Sequence, residues 1–146
     1  DVSGVENMSG MFMNTPFNQD ITGWNISSVK NMSNMFNGAS NFSKNIGIWD
    51  VSNVENMNGM FKDTRFNEDI TGWKVHNVTN MSGMFFEATN FNQNIGSWNV
   101  SNVTNMENMF YGATAMLDRF NGMVTGSRRL EATPNKDYWH EYFMEE

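Results

Sequence analysis

An Asn-Met pair recurs five times along the chain at almost constant spacing. The pairs are Asn7-Met8, Asn31-Met32, Asn56-Met57, Asn80-Met81 and Asn105-Met106. Successive pairs are 24, 25, 24 and 25 residues apart, and the extra residue always falls between two Phe positions, as between Phe36 and Phe42. A fixed period of this length is typical of repeat proteins, in which each unit packs mainly against its neighbours. The period therefore predicts a stack of similar units.

Large apolar residues fill the same positions in every unit. In the second unit these positions hold Met32, Met35-Phe36, Phe42, Ile46, Trp49 and Val51. The columns explain why 146 residues include 14 Met, 12 Phe and 5 Trp, whereas Leu occurs only at Leu117 and Leu130. Burying a large side chain gains about 1.5 to 3 kcal/mol, and ordering each residue of a unit costs about 1.5 kcal/mol. A lone unit does not recover that cost, so we expect the columns to face inward between stacked units.

Two kinds of local pattern alternate within a unit. Ile46 to Val51 places apolar residues at alternate positions near its end, which predicts a strand buried on one face. Asn56 to Phe61 brings Met57, Met60 and Phe61 together at three-and-four spacing, which predicts a short helical turn capped by Asn56. Equivalent strands one unit apart are expected to pair in parallel.

Trp49 to Phe61 and Phe91 to Met106 resemble the roughly 25-residue repeat of BspA-like bacterial surface proteins and mycoplasma surface lipoproteins. The resemblance covers about residues 1–116. It implies an α/β repeat, a leucine-rich-repeat-like right-handed solenoid with short parallel strands on one face and short helical turns on the other. It also implies display on a cell surface or secretion, adhesion or protein binding, and no common active site.

The repeat pattern ends near Met116, where a Phe is due. We therefore predict two parts: residues 1–116 as a solenoid of about five coils, the first truncated, and residues 117–146 as a C-terminal cap or docking segment. Thr133 and Pro134 predict the start of a short helix. That helix carries the aromatic residues Tyr138, Trp139, Tyr142 and Phe143. These side chains either cover the last coil or dock another protein, and a disordered tail is a third interpretation.

The composition excludes several classes of function. A net charge of -7 and a pI near 4.7 disfavour nucleic acid as a partner. No apolar run is long enough to predict a membrane span. The sequence offers two distant histidines, His76 and His140, and no Cys, HExxH motif or P-loop, so we predict neither an enzyme nor a cofactor. Since Asp1 aligns with Asp50, which follows a Trp, we interpret residue 1 as a truncation or processing point in a longer protein or assembly.

Calcium is the strongest candidate metal, because oxygen ligands recur in equivalent turns. Asn18-Gln19-Asp20 and Asn67-Glu68-Asp69 lie two units apart, but the turn between them contains Lys44. A calcium ladder is expected to continue through adjacent units, so we predict no metal site. Asp20 and Asp69 are instead interpreted as turn residues that bond nearby amides.

The outward positions of the predicted strands form the candidate ligand-binding face. Its residues are Ile48, Asp50, Lys74, His76 and Asn99. By resemblance this face binds another protein or a host or cell-surface ligand. An ordinary solvated face, with Asp50 and Lys74 as a weak ion pair, is the plainer interpretation. The sequence thus favours a surface-displayed protein-binding module, and the alternative is a passive spacer or an accessory subunit of a larger assembly whose C-terminal segment docks a partner.

Overall fold

The computed structural model describes residues 1–145 and contains three short helical elements, all near the C-terminus. Helix α1 spans Thr114–Arg119, a 3-10 helix spans Lys136–Tyr138, and helix α2 spans Trp139–Tyr142. Within residues 1–145 there is no strand, and β pairing is limited to isolated parallel bridges. These bridges join Asn7 to Asn31, Asn31 to Asn56, Asn56 to Asn80 and Asn80 to Asn105.

The predicted α/β solenoid, with parallel strands on one face and helical turns on the other, is therefore wrong. The predicted strand is broken by a turn in which the N–H of Trp49 donates to the carbonyl of Ile46 at 3.1 Å. The side-chain oxygen of Asn45 supports this turn, because it accepts from the N–H of Gly47 at 3.1 Å. Asn and Asp side chains that bond the backbone two residues on favour turns over strands. The alternation of apolar residues in the sequence does not show that these side chains compete with strand pairing for the backbone N–H groups.

The predicted helical turn at Asn56 to Phe61 is also wrong, because this segment is a series of β-turns. The N–H of Met60 donates to the carbonyl of Met57 at 3.3 Å, and Gly59, the third residue of this turn, has φ +63°. An α-helix needs φ near −63° at every position. Two columns have positive φ in every unit: Gly10, Asn34, Gly59, Gly83 and Asn108, and then Asn14, Gly38, Asp63, Glu87 and Gly112.

Four lines of backbone hydrogen bonds with a common direction join each unit to the next, and they are here termed the hydrogen-bond rows. A fifth line runs the opposite way, as from the N–H of Glu55 to the carbonyl of Lys30 at 2.8 Å. The N–H groups of the second unit donate to carbonyls of the third. The pairs are Met32 to Asn56 at 2.9 Å, Asn34 to Asn58 at 2.8 Å, Phe36 to Met60 at 3.0 Å, and Gly38 to Lys62 at 2.9 Å. The same four positions of the first, third and fourth units donate to the unit that follows them. In every row the N–H groups therefore face the following unit and the carbonyl groups face the preceding one.

The prediction that the Trp, Met and Phe columns form the core is confirmed. The ring of Phe61 stacks between those of Phe36 and Phe85, with centroids 5.9 and 5.8 Å away. Within its own unit, Phe61 stacks on Phe66 at 4.3 Å. Offset stacking of this kind adds a favourable term to the burial of each ring. Continuous aromatic columns thus fill the interior of the stack.

The indole N–H groups also form a column of hydrogen bonds. Each donates to an Ile carbonyl of the preceding unit. The pairs are Trp49 to Ile21 at 3.2 Å, Trp73 to Ile46 at 3.0 Å, and Trp98 to Ile70 at 3.1 Å. Trp139 of α2 donates in the same way to Ile95 at 3.0 Å, and its ring lies 6.2 Å from Phe110. Trp139 therefore takes the place that the repeat Trp would occupy in the fifth unit.

Residues near the C-terminus also bond two of the four row N–H groups of the fifth unit. The hydroxyl of Thr133 accepts from the N–H of Asn108 at 2.8 Å, and the carbonyl of Ala132 accepts from the N–H of Phe110 at 2.9 Å. The predicted helix start at Thr133 is thus wrong, since the 3-10 helix begins at Lys136 and is capped by Asn135. The division between 1–116 and 117–146 falls inside α1 and stays a prediction, and Glu146 lies outside the described residues.

Candidate interaction surface

The residues predicted as a ligand-binding face are all exposed, but they lie in or beside turns. Lys74, His76 and Asn99 line one shallow depression of about 270 Å³. Ile48 and Asp50 lie outside it, and Ile48 is 73% exposed. Within residues 1–145 Asp50 and Lys74 form no ion pair. The structure therefore brings together three of the five residues, and whether they bind a ligand stays a prediction.

The Asp side chains of the turns are held by their own backbone. The carboxylate of Asp50 accepts from the N–H and the hydroxyl of Ser52, at 3.0 and 2.6 Å. Asp20 and Asp69 bond a Thr two residues later in the same way. The hydroxyl, and after it the N–H, holds the pKa of each carboxyl below its ordinary value. The interpretation of Asp20 and Asp69 as turn residues is confirmed, and residues 1–145 hold no cluster of three His, Asp or Glu side chains that fits a metal ion.

The Asn columns are likewise occupied by structural hydrogen bonds. The side-chain oxygen of Asn56 accepts from the N–H of Asn58 at 3.0 Å, and each Asn of the Asn-Met pairs bonds the same position. In another column, the side-chain NH2 of Asn77 donates to the carbonyl of Ser52 in the preceding unit at 2.7 Å. Asn102 repeats this contact with His76 at 2.7 Å. These amides shape the turns and connect the units.

The aromatic residues predicted to dock a partner are mostly inside the protein. Trp139, Tyr142 and Phe143 are buried, and Tyr138 is 37% exposed. The hydroxyl of Tyr142 accepts from the N–H of Asn135 at 2.9 Å. This burial favours the cap interpretation over docking through these rings, and it leaves Tyr138 as the accessible member of the set.

The N-terminal end of the stack differs from the C-terminal end. Its four row carbonyls receive no hydrogen bond from any residue of 1–145. They belong to Asn7, Ser9, Met11 and Met13. The other four indole N–H groups bond an Ile carbonyl, whereas that of Trp24 has no acceptor within the same range. We term this surface the open end.

Apolar side chains accompany these backbone groups. Met11 and Met13 are 45% and 44% exposed, whereas Met35, the counterpart of Met11 in the second unit, is fully buried. Phe12 and Trp24 are partly buried and pack against the core from this side. The open end therefore combines unbonded acceptors, unbonded donors and apolar surface among the described residues.

Comparison with known families shows which family the repeat belongs to. The model of the family described as "Mycoplasma protein of unknown function, DUF285" matches residues 1–65 and again residues 44–128. The chain belongs to the DUF285 family. This confirms the predicted likeness to a mycoplasma-type repeat, while the narrower assignment to BspA-like leucine-rich repeats is not supported.

Other comparisons add no relative of known activity to the DUF285 assignment. Neither the curated proteins nor the solved structures contain a significant match. None of the helices in residues 1–145 has the length and apolar character needed to cross a lipid bilayer. The geometry of the middle-unit face is therefore the main ground for a functional proposal.

Proposed function

We propose that this DUF285 protein is a non-enzymatic module, displayed on a cell surface or secreted, that binds another protein or a host-surface ligand through the exposed columns of its middle units. The supporting observation is a contrast within the repeat itself. The inward columns keep the same residue types from unit to unit, whereas the outward columns change in size and charge. One outward column holds Asn25, Asp50, Lys74 and Asn99, and its neighbour holds Ser27, Ser52, His76 and Ser101.

The change of chemistry is concentrated in the middle of the stack. A face that only meets water needs no particular sequence, and small polar residues are sufficient for it. Lys74 and His76 instead introduce cationic and aromatic character beside the 270 Å³ depression. Ile48 adds an exposed apolar side chain one unit earlier. Protein interfaces draw most of their energy from a few such anchors. The proposed display at the surface rests on the resemblance to repeats of bacterial surface proteins.

A matched pair of triple variants tests this function. Purified protein coupled to beads is assayed for adhesion to cultured epithelial cells and to immobilised extracellular-matrix proteins. We expect Ile48→Ser, Lys74→Ser, His76→Ser to lose most of the adhesion. The control set is Met123→Ser, Arg65→Ser, His140→Ser, which removes the same kinds of exposed side chain elsewhere.

The two triple variants show whether adhesion depends on the proposed face or only on the number of exposed apolar and charged side chains. Both are expected to melt within a few degrees of the parent, because exposed substitutions cost little stability. Equal adhesion of the parent and the first variant would contradict the proposal. Parallel loss in both variants would point to non-specific charge or stickiness and would also contradict it.

A second candidate is a structural spacer or an accessory subunit of a larger assembly. The backbone hydrogen bonds between successive units favour it, because they hold the units in a fixed stack. Docking through the C-terminal aromatics would rely on Tyr138, the exposed member of that set. Loss of adhesion in Tyr138→Ala, with no loss in the middle-unit triple variant, would support this candidate instead.

A further inference from the structure

We propose that Asn121 is a site of spontaneous deamidation, where the C-terminal segment acquires an aspartate or an isoaspartate. The reaction begins when the backbone nitrogen of the following residue attacks the side-chain amide, and a following Gly hinders this attack least because it has no Cβ. The chain contains three such pairs: Asn37-Gly38, Asn58-Gly59 and Asn121-Gly122. Every other Asn precedes a residue with a Cβ. The proposal does not depend on the binding role of the middle units.

The atoms of this reaction balance with water as its co-reactant. The amide nitrogen of Gly122 forms a bond to the side-chain carbonyl carbon of Asn121, while the bond from that carbon to NH2 breaks. Ammonia leaves with the proton that the Gly122 nitrogen gives up, and a succinimide ring remains. Water then opens the ring at either carbonyl, which yields an aspartate or an isoaspartate. No electron is transferred, so the reaction needs neither an oxidant nor a reductant.

The attacking nitrogen distinguishes the three pairs. The N–H of Gly38 donates to the carbonyl of Lys62 at 2.9 Å, and the N–H of Gly59 donates to the carbonyl of Ser82 at 2.9 Å. Both bonds belong to the hydrogen-bond rows and have to open before the nitrogen can turn toward a side chain. The N–H of Gly122 donates to no backbone acceptor among residues 1–145. All three glycines have positive φ, so the freedom of the nitrogen, and not the backbone angle, makes Gly122 different.

Exposure and side-chain bonding favour the same pair. Gly59 is buried and Gly38 is half-buried, whereas Gly122 is exposed to the water that the reaction consumes. The side-chain NH2 of Asn37 donates to another side chain of its own turn at 3.1 Å. The side-chain oxygen of Asn121, although shielded from solvent, accepts no hydrogen bond from the described part of the chain. Ring closure at Asn121 therefore breaks no hydrogen bond of that oxygen.

The product changes the base of the loop that follows helix α1. Asn121 comes directly after Phe120, whose buried ring packs edge-on against Phe143 with centroids 4.9 Å apart. The carbonyl of Phe120 accepts from the N–H of Leu130 at 2.8 Å and so closes the loop. An isoaspartate adds one carbon atom to the main chain beside this bond and replaces an amide by a carboxylate. We expect the bond to weaken and the loop to open more often.

Ageing of the full chain in mildly alkaline buffer tests the proposal. The three pairs lie on different tryptic peptides, residues 31–44, 45–62 and 120–128, so mass spectrometry measures the replacement of NH2 by OH in each pair separately. We expect Asn121 to react at least about tenfold faster than Asn37 or Asn58, which corresponds to about 1.4 kcal/mol for opening the rows. The matched control is the same chain unfolded in urea, where the three pairs are expected to react at similar rates.

The unfolded chain separates protection by the fold from an effect of local sequence. The proposal fails if Asn121 reacts no faster than the other two in the folded chain, or if it leads by the same factor in urea. Exchange of the Leu130 amide proton measures the effect on the loop. It is expected to quicken severalfold in the aged parent and to stay unchanged in aged Asn121→Gln, whose longer side chain closes a ring far more slowly. Equal exchange in these two proteins would overturn the proposed opening of the loop.

Discussion

The indole of Trp73 allows the packing between units to be tested quantitatively. Its side chain is 3% exposed, stacks on Trp98 at 6.4 Å and donates a hydrogen bond to Ile46 at 3.0 Å. Replacing a buried Trp by Ala costs about 3 to 5 kcal/mol from lost burial and the cavity that remains. The orphaned carbonyl of Ile46 adds about 1 to 3 kcal/mol if water does not reach it. Because such terms are not additive, we expect Trp73→Ala to lower the free energy of unfolding by about 4 to 5 kcal/mol.

Trp24 is the internal control for this experiment. It occupies the same column, but it is only partly buried and has no acceptor within residues 1–145. We expect Trp24→Ala to cost about 1 to 2 kcal/mol, because little cavity forms at an open surface. Trp73→Phe retains an aromatic ring and removes the donor. Its loss of unfolding free energy should lie between the losses of Trp24→Ala and Trp73→Ala. Urea unfolding followed by circular dichroism measures all three. Equal losses for Trp24→Ala and Trp73→Ala would refute the reasoning that the cost comes from enclosure between two units.

Two further predictions concern a turn and an ion pair. Gly59→Ala is expected to lower the free energy of unfolding by at least about 1 to 2 kcal/mol, because φ is +63° and an added Cβ would collide with the side-chain oxygen of Asn34. Gly23→Ala, with open space around it, is the near-neutral control in the same urea assay. Arg119→Ala is expected to reduce the melting temperature at pH 7. The Arg119 guanidinium holds the pKa of Glu145 below 4.5, so the difference from the parent should shrink as the pH falls below 4.5 and the carboxylate is protonated in both states. A difference that stays constant down to pH 2 would exclude the ion pair as its cause.

The core was predictable from the sequence because burial depends on residue type and recurrence. The columns of Met, Phe, Ile and Trp repeat at fixed positions, and stacking the units removes these side chains from water together. The place of Trp139 in the Trp column was not predictable from the period, since Trp139 reaches that column only after a long irregular segment. It is the one Trp outside the repeat, and that isolation was the available signal for its role.

The local backbone was not predictable from apolar spacing, because hydrogen bonds of small polar residues decide it. Apolar residues at three-and-four spacing suggested a helix, but Gly59 and its counterparts adopt positive φ and redirect every second N–H to the next unit. Gly or Asn in that column was the visible signal, since these residues adopt left-handed conformations most readily. The strand prediction failed for a related reason, because Asn45 and Asp50 bond amides two residues later. The residues of the candidate binding face are exposed, but the turns divide them into three that line one depression and two separate side chains, and their binding role stays a prediction.

The common direction of the hydrogen-bond rows has an electrostatic consequence. Each row is a series of peptide dipoles aligned from unit to unit, as in an α-helix, and aligned hydrogen bonds polarise one another. Since the N–H groups face the C-terminal end, the partial negative charge accumulates at the carbonyls of Asn7, Ser9, Met11 and Met13. This is the reverse of an α-helix, whose N-terminus is positive. One line of backbone bonds, as from the N–H of Glu55 to the carbonyl of Lys30, runs the opposite way and offsets part of this dipole. The four rows outnumber that line, so the stack keeps a net dipole along its length.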